Sequence, residues 1–138
     1  MQLFEPLVFN QAIRMSVMGK RQRHFFQLSE ILYCQSDRNY TIFYLSDGSE
    51  LCSTNTLAEV YERLKPHGFE QLHKSIVANL SCISSVSHTQ EAMVTLVNKK
   101  KIKIARRRKP VLIKILKMMP NTVRPEISTE RTQKPTVG

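Results

Sequence analysis

Apolar residues recur at every second position along much of this chain, a spacing that predicts short β-strands. Ile13, Met15 and Val17 alternate with polar residues before Gly19 ends the segment. The β-branched and aromatic stretch 40–45 is the strongest strand candidate, and the Asp-Gly pair at 47–48 predicts a hairpin after it. Similar patterns predict strands at 25–28, 30–34, 49–53, 82–86, 92–97 and 101–105, and within 68–80.

Two segments show the helical period instead. Thr56 and Glu59 have the Thr-x-x-Glu spacing of a capping box, which predicts a helix that starts at residue 57 and stops near Pro66 and Gly68. Its apolar face consists of Leu57, Val60, Tyr61 and Leu64. Pro110 predicts the start of a second, short helix with Leu112, Ile115, Leu116 and Met119 on one face. The predicted fold class is therefore mainly β, with one well-capped helix and one short C-terminal helix.

The 138 residues are enough for one domain with a modest core. We predict a leader or linker over residues 1–11, a folded domain over 12–119 and a flexible tail over 120–138, where no apolar period continues. No apolar run is long enough to cross a bilayer, and residues 1–11 lack the apolar core of a signal peptide. These features predict an intracellular, cytoplasmic protein.

The positive charge of the chain is concentrated in one segment. The net charge is +10, and the segment from Lys99 to Lys117 contains ten basic residues and no acid, whereas the rest of the chain is balanced. An excess of this kind attracts polyanions, with nucleic acid as the first candidate and anionic membrane as the second.

The residues that support catalysis or metal binding do not occur in the required patterns. The three cysteines form no Cys-x-x-Cys pair and are predicted to be buried, reduced thiols, and the four histidines have no metal-ligand spacing. His73 and Ser75 could form a nucleophile and base, but no third group orients them, and a buried histidine beside a surface serine is the commoner arrangement. We therefore predict a protein that is not an enzyme and has no metal or cofactor.

Three polar clusters lie at strand ends, at residues 37–40, 73–75 and 106–109. Phosphates are bound by Lys, Arg, Ser and backbone N–H groups, and base edges by Arg, Lys and Asn. Together with the basic segment, the three clusters indicate nucleic-acid binding by loops at one end of a sheet.

Four blocks in order resemble the LytTR family of bacterial response-regulator output domains. The first block begins with "FFQLSEILYC", and the next three are "TLAEVYERL", "FEQLHKSIVANLSCISSV" and "VTLVNKKKIKIARRR". The similarity extends over about residues 13–119. The most specific block is "FEQLHKSIVANL", which is similar to the family's Phe-x-x-x-His-Arg-Ser-x-x-Val-Asn-Leu signature.

The resemblance implies an elongated set of small antiparallel sheets with a short helix packed against one of them. It also implies a sequence-specific transcriptional regulator whose loops, rather than a helix, enter successive major grooves of bent double-stranded DNA. Carried over by position, the base contacts are Tyr40, Lys74 and Arg107. The backbone contacts are Arg38, Asn39, Ser75, Arg106, Arg108 and Lys109.

Several details of the matching positions refine these expectations. If the strand period continues through the third cluster, Arg106 and Arg108 face away from Arg107. Asn79 matches the signature Asn and is expected to be structural or adjacent to a phosphate. Lys74 replaces the commoner Arg, so a two-bond guanine contact is not expected there.

The resemblance also implies partners. We expect repeated half-sites on DNA, a homodimer on that DNA, and control by a histidine kinase or a receiver protein. A chain of this length has no room for an N-terminal receiver domain, so we expect a stand-alone regulator or a fragment.

Two other binding classes share the positive charge. An RNA-binding or ribosome-associated basic β domain should expose aromatic rings on a sheet, whereas Phe25, Phe26, Phe43 and Tyr44 lie in apolar strands and are predicted to be core. A membrane-surface module would use lysines 114 and 117 on the last helix, but that helix is too short to anchor a protein alone. We rank DNA first, RNA second and membrane third.

Overall fold

The computed structural model describes residues 9–87 and 91–119. The predicted tail (120–138) and most of the predicted leader (1–11) therefore lie outside the described residues. Short 3-10 turns lie at Leu28–Glu30, Lys65–His67, Leu80–Cys82 and Arg106–Arg108. The strands are β1 (Arg14–Met18), β2 (Arg23–Gln27), β3 (Ile31–Asp37), β4 (Tyr40–Leu45), β5 (Glu50–Ser53), β6 (Phe69–His73), β7 (Ile76–Asn79), β8 (Ile83–Val86), β9 (Met93–Leu96) and β10 (Lys101–Lys103), and the helices are α1 (Leu57–Leu64) and α2 (Lys109–Lys117).

A five-stranded antiparallel sheet with the order β5-β4-β3-β7-β6 forms the centre of the molecule. In the middle of the sheet, β3 and β7 are covered on both faces, which explains their continuous apolar runs: residues 31–34 of β3 and 76–78 of β7 are all buried. A strand with both faces covered needs no polar alternation. The two-stranded sheet β1-β2 and the three-stranded sheet β10-β9-β8 are separate and also antiparallel.

Each face of the central sheet has its own apolar core. On one face, the β1-β2 hairpin and α1 pack against side chains of the sheet that include Cys34, Phe43 and Val77. On the other face, the β8-β9-β10 sheet and α2 pack against side chains that include Tyr33 and Leu72. The mainly β class with small antiparallel sheets and two short helices is thus confirmed.

Residues at the end of the predicted leader contact the domain. Gln11 Nε2 donates to His67 O at 2.7 Å and to Asn79 Oδ1 at 3.0 Å. The Phe9 ring covers Gly68, where an added Cβ would lie 2.7 Å from that ring, and Gly68 has a φ of 87°. Only glycine satisfies both conditions without strain. The predicted domain bounds themselves stay a prediction.

Three side chains lie differently from their predicted positions. Ile13 precedes β1 and is 41% exposed, and Phe25 is 59% exposed because it points away from the core that Phe26 enters. Cys34 and Cys82 are buried as predicted, but Cys52 is exposed, so the prediction of three buried thiols was wrong for one of them. Burial raises the pKa of the Cys82 thiol to about 11. No described helix is long and apolar enough to cross a membrane.

The capping box of α1 forms as the sequence predicts. Glu59 N donates to Thr56 Oγ1 at 3.2 Å, and Thr56 N donates to Glu59 Oε1 at 2.9 Å. The bond from the Thr56 backbone, with a second bond from Asn55, lowers the pKa of the Glu59 carboxyl. The helix buries Leu57, Val60 and Leu64 and exposes charged residues, as expected for a packing element.

Thr56→Ala is expected to lower the free energy of unfolding by about 1 kcal/mol, because the substitution leaves one helix N–H without its acceptor. Thr56→Ser is the matched control and should remain close to the wild type, since it keeps the hydroxyl. Chemical denaturation of both variants gives the comparison. Equal stability of the Ala and Ser variants would show that the capping bond contributes nothing.

Candidate nucleic-acid interface

Two of the three polar clusters meet where β3 ends. Asp37 pairs with Tyr40 across the first turn, and Ser36 N donates to Ser75 O in the second turn at 3.0 Å. The two turns are therefore neighbours at one end of the central sheet, with centres two strand spacings or ~10 Å apart. We call this end, formed by residues 37–40, 73–75 and 105–109, the loop end.

The first turn presents polar side chains on a left-handed backbone. Arg38 has a φ of 60°, and Arg38 and Asn39 are exposed. Glycine is usual in this conformation, and another residue costs roughly 1–2 kcal/mol there. Tyr40 begins β4 and is 39% exposed, so its ring is accessible beside the turn.

The second turn is fixed by His73. Ser75 N donates to His73 Nδ1 at 3.2 Å, and burial lowers the pKa of His73, which favours the neutral ring that can accept this bond. Lys74 is exposed at the tip, and Ser75 is half-buried. Because the bond comes from the Ser75 backbone, His73 orients the turn, and the bond does not activate the serine hydroxyl.

The third cluster is attached to β6 and is a 3-10 turn. Ala105 N donates to Leu72 O at 2.8 Å, and Arg108 N donates to Ala105 O at 2.8 Å. The strand period therefore does not continue through residues 106–108, and the expected alternation was wrong. With three residues per turn, the three arginine side chains point about 120° apart.

This turn divides its arginines between two neighbouring hollows. Arg107 and Arg108 line an open groove of about 630 Å³ together with Lys74 of the second turn. Arg106 lines an adjacent hollow of about 670 Å³ with His73 and Lys109. The structure thus brings Lys74 and Arg107 into one groove, as expected for two groups that act on the same ligand.

Arg108 is less available than Arg107. It is half-buried and lines the same groove as Glu70, whose carboxylate accepts a hydrogen bond from Tyr61 Oη at 3.1 Å. Burial and the Glu70 charge raise the pKa of Tyr61 to about 12, while the nearby Arg108 charge acts in the opposite direction. Arg108 is therefore half-buried near the Tyr61–Glu70 pair, whereas Arg107 is exposed.

The fold divides the basic segment that the sequence analysis treats as one region. Val97 N donates to Cys82 O at 2.8 Å, and Cys82 lies against Ile31 at the start of β3. The turn with Lys99 and Lys100 is therefore at the opposite end of the molecule from Asp37. Arg106 to Lys109 lie at the loop end, and Lys103 forms an ion pair with Glu91 at 3.2 Å.

Asn79 of the signature block is fully buried. Its Nδ2 donates to Ile31 O at 2.8 Å, and its Oδ1 accepts from Ser81 N at 3.1 Å, Ser81 Oγ at 2.8 Å and Gln11 Nε2. The side chain holds the 3-10 turn after β7 against the start of β3. Of the two expected roles, structural and phosphate-adjacent, the geometry supports the structural one.

One basic turn, at residues 20–24, lies near Tyr40, although the sequence pattern gave no sign of this proximity. Lys20, in the turn between β1 and β2, has its Nζ 6.0 Å from the centroid of the Tyr40 ring. The lysine and arginine residues of this turn are visible in the sequence, but their proximity to Tyr40 depends on how the hairpin packs. Among the described residues, no group of three or more His, Cys, Asp or Glu could hold a metal ion.

Comparison with known proteins agrees with the geometry. The family model described as the LytTr DNA-binding domain matches residues 21–117. A similar solved structure is the LytTr DNA-binding domain of a putative methyl-accepting/DNA response regulator from Bacillus cereus, with a TM-score of 0.63 and 15% identity; the match covers 75% of this chain and 95% of that one. No curated protein matches this chain. Since the family model covers more than half of its length, the chain belongs to the LytTr DNA-binding domain family and functions in DNA-binding transcription regulation.

Proposed function

We propose that the loop end binds double-stranded DNA sequence-specifically, with its three segments in major grooves. The observation that carries this proposal is the grouping of Lys74 and Arg107 in one open groove, beside the exposed turn that contains Arg38. These cations come from separate parts of the chain, and the fold brings them to one end of the sheet. We do not propose helix α1 as the reading element, because its exposed face carries Glu59, Glu62 and Arg63 and has no net positive charge.

The side chains of the loop end suggest a division between base and phosphate contacts. Arg107 is the proposed guanine contact, since a guanidinium can donate two bonds to one guanine edge, and Lys74 and Tyr40 are the other base contacts. Lys74 is a point charge and discriminates less between bases. The proposed phosphate contacts are Arg38, Asn39, Ser75, Arg106, Arg108 and Lys109.

The dimensions of the loop end support bending of the DNA. From the first turn to the 3-10 turn beyond β6, three to four strand spacings give a span of roughly 15–20 Å. One turn of straight duplex separates equivalent major-groove positions by about 34 Å. Curvature of the duplex toward the protein shortens this distance on the inner side, so the short span favours bent DNA.

Partners and setting are further proposals that follow from the family. The solved relative is described as part of a response regulator, which supports control of this protein by a histidine kinase or a receiver protein. We propose repeated half-sites bound by two copies of the chain, in the cytoplasm. Size-exclusion chromatography with and without a two-site duplex tests the dimer.

A competition gel shift tests the proposed function. The protein is mixed with a labelled duplex selected from a random library, and unlabelled duplex, single-stranded RNA or anionic vesicles are added. With ~6–10 phosphate contacts, duplex affinity should fall about a thousandfold or more between 50 and 200 mM salt. Affinity that is flat across this range would contradict DNA binding. Preferential release by RNA would support the RNA-binding alternative instead.

A further inference from the structure

The turn between β1 and β2 carries two exposed cations. Lys20 and Arg21 are exposed, and the turn is closed by a bond from Gly19 N to Gln22 O at 2.9 Å. Gly19 is buried, and a Cβ there would lie 3.1 Å from His24 Nε2, so the turn packs closely on its own hairpin. Neither Lys20 nor Arg21 forms an ion pair with a described residue.

Two contacts fix this turn beside the loop end. Thr54 N donates to Met18 O at 3.1 Å, and Thr54 directly follows β5, where Ser53 pairs with Thr41 next to Tyr40. Lys20 Nζ lies at 6.0 Å from the Tyr40 ring centroid, at the outer limit of a cation–π contact. The turn therefore extends the loop end past Tyr40, on the side away from Arg107.

We propose that Lys20 and Arg21 bind DNA phosphates that flank the segment contacted by the three loops. This inference rests on the proposed function of the loop end and adds a fourth attachment point to it. The two side chains are long, exposed and held by a tight turn, which suits contact with a backbone rather than with a groove floor. Their contribution is affinity without sequence preference.

The opposite end of the molecule provides a control with matched charge. Lys99 and Lys100 also lie in an exposed turn, between β9 and β10, but at the end of the sheet remote from Asp37. The double variants Lys20→Gln/Arg21→Gln and Lys99→Gln/Lys100→Gln remove the same net charge. A difference between them therefore measures position and not total charge.

The test compares the salt dependence of duplex affinity for the wild type and both double variants. If each residue binds one phosphate, Lys20→Gln/Arg21→Gln lowers the slope of log affinity against log salt by about 2. The wild type then loses about tenfold more affinity than this variant between 50 and 200 mM salt. The motif selected from a random library stays unchanged, and Lys99→Gln/Lys100→Gln keeps the wild-type slope. Thermal melts confirm that both variants are folded.

Each other outcome overturns a specific part of the proposal. Equal slopes for the two double variants would show that the β1-β2 turn makes no phosphate contact. A changed motif for Lys20→Gln/Arg21→Gln would mean that the turn reads bases. If the wild type binds duplex but Lys20→Gln/Arg21→Gln has the same salt slope as Lys99→Gln/Lys100→Gln, this inference fails and the proposed function stands. If the wild type binds no duplex, the proposed function fails as well.

Discussion

Replacing Asn79 with alanine is expected to lower the free energy of unfolding by roughly 2–4 kcal/mol, because the substitution removes several hydrogen bonds made by one fully buried side chain. The Ile31 carbonyl loses the Nδ2 donor, and Ser81 N and Gln11 Nε2 lose their shared acceptor. Since the side chain is fully buried, we expect the variant that remains folded to select the same DNA motif. Urea denaturation measures the stability.

Ser81→Ala is the control for Asn79→Ala. It removes the Ser81 hydroxyl, with its contacts to Asn79 Oδ1 and Gln11 Oε1, and keeps the bond from Ser81 N, so its cost should be about 1 kcal/mol. Near wild-type stability of Asn79→Ala together with weakened DNA binding would contradict the structural role. That result would support a phosphate-adjacent Asn79 instead.

Arg107→Ala is expected to cost about 1–3 kcal/mol on the preferred DNA site and to relax sequence preference at one base position, because it removes a two-bond donor to a base edge. Affinity for random DNA should change less. A competition selection on a randomised duplex library measures both effects. Lys74→Ala should cause the same two effects, lower affinity and a relaxed base preference, but to a smaller extent, since an ammonium group discriminates less between bases than a guanidinium.

Arg106→Ala is the matched control for Arg107→Ala. Arg106 is an exposed neighbour in the same 3-10 turn but lines the adjacent hollow. Its loss should lower the affinity for the specific site and for random DNA alike, and should reduce the salt slope of binding by about 1. Arg108→Ala is a poorer control, because Arg108 lies near the Tyr61–Glu70 pair and its loss would also change the surroundings of that pair. If Arg107→Ala weakened every sequence equally while Arg106→Ala changed the motif, the proposed roles would be exchanged.

Elements that depend on residues close together in the sequence could be predicted from the sequence alone. The Thr56–Glu59 capping box and the apolar spacing after it define α1 as it is observed. The Asp47-Gly48 turn likewise joins β4 to β5, because its residue types suit the required backbone. The continuous apolar run of β7 also indicates a strand covered on both faces.

Features that depend on packing between distant segments could not be read in this way. Phe25 and Phe26 are adjacent and equally apolar, and the face of the β1-β2 hairpin that meets the core decides which ring is buried. The basic segment is contiguous in sequence, yet β10 lies between the turn with Lys99 and Lys100 and the arginine cluster. The arginine cluster follows the end of β10 as a 3-10 turn that leads directly into α2.

We propose that the loop end, and not general positive charge, binds duplex DNA. The most direct measurement is the salt dependence of duplex affinity for Lys74→Gln/Arg107→Gln beside Lys99→Gln/Lys100→Gln, two variants with the same net charge at opposite ends of the sheet. We expect the loop-end variant to lose affinity for the selected duplex and to lose motif preference, while the opposite-end variant retains the wild-type affinity, slope and motif. Equal losses in the two variants would contradict the claim.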